Sequence, residues 1–118
     1  MKIYQCKQCN KMIISKDELP FLGLEEVKAG VVDAAKEKHV PVVTVDGNLV
    51  KVDVGSVNHP MTEEHLIEWV LVETKQGYQV KYLKAGDAPV CKFILADGDE
   101  VVAVYAYCNL HGLWMSEK

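Results

Sequence analysis

The chain has 118 residues, about the size at which a single domain closes one hydrophobic core. Apolar residues make up 49% and charged residues 25%, and no run of about 18 apolar residues occurs, which excludes a disordered chain and a helical membrane span. The formal charge is −4 and all 13 basic residues are Lys, so the Arg contacts that nucleic-acid binders make to bases and phosphates are missing and that function class is excluded too.

The chain opens with MKIYQCKQCN, which lacks the long apolar stretch of a signal peptide, so a cytoplasmic location is expected. In a reducing compartment the four cysteines read as thiols or metal ligands rather than disulfides. Cys6 and Cys9 spell CxxC, and residues 16–30, KDELPFLGLEEVKAG, follow with no clean period. Residues 1–30 are accordingly expected to form a short appendage or linker, and residues 31–118 the main domain. Residues 32–38 could hold a turn or two of helix and residues 60–64 one turn.

The rest reads as strands. Residues 42–54, VVTVDGNLVKVDV, place two β-branched runs around Asp46-Gly47, a pair suited to a tight hairpin. Residues 65–75, 78–83, 90–96 and 100–107 follow as strand candidates, separated by Gln76-Gly77, AGDAP and DGD. Short strands with turn signals at these intervals predict an all-β antiparallel sandwich. In the last run, alternation puts Val101, Ala103, Tyr105 and Tyr107 on one face and Val102, Val104, Ala106 and Cys108 on the other. Cys91, inside VCKFILA, is expected in the core.

Cys108 and His111 form C-x2-H, which fixes no metal by two side chains alone. His39, His59 and His65 change its weight, because all four histidines lie beside a turn or a proline, at the edges of strands. Four imidazoles and one thiolate exceed the four ligands of structural zinc and suit iron or copper, with a position left open for a small molecule. Cys108, His111 and Met115 also spell C-x2-H-x3-M, similar to the copper loop of cupredoxins, which needs one further histidine and leaves two without a task. A metal-free interaction module is the third class, indifferent to loss of the histidines.

Five segments in order, AAKEKHVP (34–41), GSVNHPMTEEH (55–65), IEW (67–69), GDAP (86–89) and YCNLHGLW (107–114), resemble superoxide reductase, the catalytic domain of desulfoferrodoxin and neelaredoxin. The match runs from about Val31 to the end of the chain. The resemblance implies an immunoglobulin-like antiparallel β-sandwich that reduces superoxide to hydrogen peroxide at one mononuclear non-haem iron per chain. It makes His39, His59, His65 and His111 the equatorial iron ligands and Cys108 the axial thiolate. It gives Lys38 the attraction of superoxide, and Glu37 the sixth position on iron after oxidation. Rubredoxin or a similar small redox protein would supply electrons, and a homodimer or homotetramer is the expected assembly.

The N-terminal segment departs from that family's two-iron pattern. A four-thiolate site needs a second cysteine pair, and the next cysteine after Cys9 is Cys91, so a second iron at Cys6 and Cys9 within one chain is not expected. A metal-free relic, a metal half-site completed across a dimer, and a redox dithiol all stay open for this pair.

Overall fold

The computed structural model describes residues 1–9, 11–30 and 39–118. Its strands are β1 (Lys2–Cys6), β2 (Met12–Ser15), β3 (Leu24–Glu26), β4 (Pro41–Asp46), β5 (Leu49–Val54), β6 (Ile67–Thr74), β7 (Tyr78–Tyr82), β8 (Val90–Ile94), β9 (Val101–Cys108) and β10 (Gly112–Glu117). They form three antiparallel sheets, ordered β2-β1-β3, β10-β9-β6-β7 and β4-β5-β8. The immunoglobulin-like all-β sandwich expected above is the fold, and among the described residues there is no helix. The helix candidate at 32–38 lies outside the described residues. At 60–64 the chain bends instead, because Thr62 and His65 exchange backbone hydrogen bonds of 2.9 and 3.3 Å. A single turn of helix begun at a proline would not repay the cost of its nucleus.

The β4–β5 register pairs Asp46 with Leu49, so the two loop residues are Gly47 and Asn48, one position later than the Asp46-Gly47 pair suggests. Gly47 takes φ +59°, the left-handed value that a primed two-residue turn requires.

The four-stranded sheet is the middle layer. One face buries Val70 and Val72 of β6 and Val104, Ala106 and Cys108 of β9 against Val50, Val52 and Val54 of β5 and Cys91 and Phe93 of β8. Cys91 is thus in the core, as its strand position predicts. The other face buries Trp69, Leu71 and Leu113 against Ile3 of β1, with Met12 and Ile14 of β2 alongside. Residues 1–30, expected to be a short appendage or linker, therefore contain a three-stranded sheet that covers one side of the sandwich.

Two β-bulges break the alternation that sequence alone assumes. A register shift at Glu68 sends Ile67 into the first core and Trp69 into the second, although the two are separated by an even step. A second shift, between Glu73 and Thr74, leaves Val102 without a partner on β6 and turns Val101 to the side of Val104. Val101 therefore does not share a face with Ala103, Tyr105 and Tyr107.

Candidate metal centre

Antiparallel pairing sets the start of each strand beside the end of its neighbour. Pro41 pairs with Val54, and Ile67 with Cys108. His39 lies just before β4, His59 just after β5, His65 just before β6, Cys108 at the end of β9 and His111 in the β9–β10 turn, so all five fall at one end of the sandwich.

Their geometry is close. Ligand atoms of His39, His65, Cys108 and His111 all lie within 4.8 Å of one another. His59 stands outside that group of atoms but joins it through its ring. The rings form a closed circuit, with centroids 5.0 Å apart for His39–His59, 4.6 Å for His59–His65, 5.1 Å for His65–His111 and 4.7 Å for His111–His39. Neighbouring rings meet edge to face, at 63° to 81°. Burial is graded around the circuit: His39 and His59 are buried, His65 is half-buried and His111 is exposed. Cys108 is fully buried beneath, its Sγ 3.8 Å from Nδ1 of His111.

The donor atoms fit a metal on two observations. Nδ1–H of His59 donates to the Pro60 carbonyl at 2.7 Å, which fixes the tautomer and leaves a lone pair on Nε2; that buried atom has no hydrogen-bond partner. Nε2 of His39 and Nδ1 of His111 lie 3.0 Å apart, the separation of two nitrogens each about 2.1 Å from a common ion and at right angles to one another. Burial holds the His59 imidazole below its ordinary pKa, opposed by the Pro60 carbonyl and reinforced by the three neighbouring imidazoles. The neutral ring that results is the form that binds metal.

Neighbours of the candidate ligands hold them in place, and of these the sequence points only to Gly112, whose freedom to take an unusual backbone angle can turn His111 back toward Cys108. The side chain of Asn109 accepts a hydrogen bond from the Leu66 N–H and donates one to the Glu64 carbonyl, both at 3.0 Å, and so brackets His65 from the β9–β10 turn. Gly112 takes φ +82°, which closes that turn and brings His111 back over Cys108. Trp114 stacks on His39, with ring centroids 5.0 Å apart at 19°. An Asn or Trp inside a ligand motif gives no sign, as sequence, of which partner it reaches.

Glu37 and Lys38 fall outside the described residues. Met115, the axial ligand of a copper site, lines a cavity of about 230 Å³ with Ile3, Tyr105 and Leu113, on the side of the sheet away from Cys108. Cys6 ends β1 and Cys9 follows in an exposed turn, where a hydrogen bond from Cys9 holds the Cys6 thiol below its ordinary pKa. Cys9 also lines a cavity of about 600 Å³ with Met12, Trp69 and Tyr107.

A profile of the desulfoferrodoxin family matches residues 31–117. A desulfoferrodoxin from Nitratidesulfovibrio vulgaris is 45% identical over 123 residues, covering 98% of this chain and 95% of its own length. A superoxide reductase from Pyrococcus horikoshii is 34% identical over 110 residues, covering 79% of this chain and 94% of its own. Among solved structures, the superoxide reductase from Treponema pallidum superposes with a TM-score of 0.80 at 42% identity, covering 97% of this chain and 98% of that one.

Proposed function

The chain belongs to the desulfoferrodoxin family, and on that premise we propose that it is a superoxide reductase, converting superoxide to hydrogen peroxide with one electron and two protons. The observation that supports this reading most is the meeting of His39, His65, Cys108 and His111 ligand atoms within 4.8 Å, with the His59 ring set against His39 and His65. Those four imidazoles and the Cys108 thiolate would hold a single mononuclear non-haem iron. When bound, the iron supplies the electron, and a thiolate ligand donates electron density that favours its transfer.

The protein's own groups do the rest. Buried His39 and His59 close one side of the circuit, while exposed His111 and half-buried His65 leave an approach for a small anion and for the water that delivers protons. With a net charge of −4 the protein as a whole repels superoxide, so a local cation must offset that field within the short range left by salt. Lys38, adjoining His39 in the chain, is the cation we assign to this task, and Glu37 the carboxylate that closes the site after oxidation. We assign no iron to Cys6 and Cys9 within one chain, since two thiols fall short of a four-thiolate site.

The electron donor would be rubredoxin or a similar small redox protein, and the assembly a homodimer or homotetramer in the cytoplasm. Among the described residues no helix is long and apolar enough to cross a membrane. The test is iron, copper and zinc per chain in the purified protein, together with superoxide consumption under an electron donor. About one iron, with peroxide formed and no dioxygen, supports the reading. About one and a half irons would instead indicate a site shared between chains through Cys6 and Cys9, and copper without iron would overturn the assignment.

A further inference from the structure

Trp114 touches the metal centre twice without being able to ligate it. Its indole face stacks on the His39 ring, 5.0 Å between centroids and 19° from parallel, and its Nε1–H donates to the His111 carbonyl at 3.0 Å. The indole also lies against Gly30. A Cβ built on Gly30 would stand 2.7 Å from both Cε3 and Cζ3 of Trp114, closer than real Cβ contacts come, so only glycine allows this seat. The backbones are locked there as well: Gly30 N–H donates to the Leu113 carbonyl at 2.8 Å, and Met115 N–H to the Gly30 carbonyl at 2.9 Å, in an isolated parallel bridge. One side chain thus meets the chain at Gly30 and again at His39, on either side of residues 31–38.

We propose that Trp114, seated on Gly30, is a positioning residue of the metal centre, setting the plane of the His39 ring by stacking and the place of His111 by its indole N–H. A flat face 5.0 Å from an imidazole resists the ring rotation that would carry a ligand nitrogen off its ion. Partners that orient ligands typically change metal affinity by about 10- to 100-fold when removed. Gly30 acts at one remove, through the room it leaves for the indole. This inference rests on the iron reading above.

The experiment follows transfer of iron from the purified protein to a strong chelator, beside the thiolate-to-iron absorption band. Trp114→Leu is expected to lose iron about 10-fold faster than wild type and to shift the band. Trp114→Phe keeps a flat face but no N–H, and falls between the two. Gly30→Ala, which touches no ligand, moves both readouts in the direction of Trp114→Leu. Iron loss within twofold of wild type and an unmoved band in both Trp114→Leu and Gly30→Ala overturn the proposal. If Trp114→Leu does not fold, Trp114→Phe takes its place in that comparison under the same criterion. Wild-type protein without iron overturns the functional reading and this one together, whereas iron held equally well by wild type and variants overturns this one alone.

Discussion

Replacing Ile3 by Ala measures how firmly the N-terminal sheet is joined to the sandwich. Ile3 is only 5% exposed, packed with Trp69, Leu71 and Leu113 on the face of the middle sheet opposite the other core, and it belongs to the first 30 residues, outside the family match at 31–117. Removing a buried isoleucine side chain down to its Cβ costs about 2–5 kcal/mol, and a site at the margin of the molecule with slight exposure falls near 3. With an unfolding entropy of about 2.1 cal/mol/K per residue over 118 residues, that loss lowers Tm by roughly 12 °C. Thermal unfolding of the iron-loaded protein by circular dichroism reads the shift directly. Leu22→Ala, in the same segment but fully exposed, is the control and is expected to stay within about 0.5 kcal/mol of wild type. A drop below about 2 °C for Ile3→Ala would refute the reasoning, because it would mean that the three-stranded sheet opens without disturbing the second core.

The remaining predictions concern the centre itself. His59→Ala or His65→Ala should abolish the thiolate-to-iron absorption and lower iron per chain, whereas a copper site built on Cys108 and His111 would survive loss of at least one of them. Lys38→Ala should slow the second-order reaction with superoxide and flatten its dependence on ionic strength; an unchanged rate in pulse radiolysis removes Lys38 from the mechanism. Glu37→Ala should leave the first encounter with superoxide intact but alter the spectrum of the oxidised resting protein, and an unaltered spectrum means that Glu37 never reaches the iron.

Much of the sandwich was legible because its strands are β-branched runs ended by turn residues. Residues 42–54 read as a hairpin for that reason, and the structure moves its loop by one position only. The N-terminal strands were not legible: KIYQC, MIIS and LEE are too short to show a period, and they become strands by pairing with one another and packing Ile3 and Ile14 on a sheet far along the chain. Bulges are similarly hidden, since nothing in IEW announces that Ile67 and Trp69 face opposite ways. In the centre, the five candidate ligands were found by residue type and by resemblance, and the structure gathers them at one end of the sandwich. Gly30, Asn109 and Trp114 were not found as supports, because their work depends on contacts across the fold that no spacing encodes.

The placement of the five residues has a mechanical consequence. His39 and His59 flank the β4–β5 pair of one sheet, while His65, Cys108 and His111 flank β6, β9 and β10 of the other. An ion seated among them would therefore be a cross-link between sheets, tying five points of the chain from His39 to His111 into nested loops. Antibody domains fasten their two sheets with a disulfide, a bond that a reducing cell would open. Here the fastener would also be the reactive centre, so a protein stripped of its metal would lose a clasp at that end of the sandwich along with its chemistry.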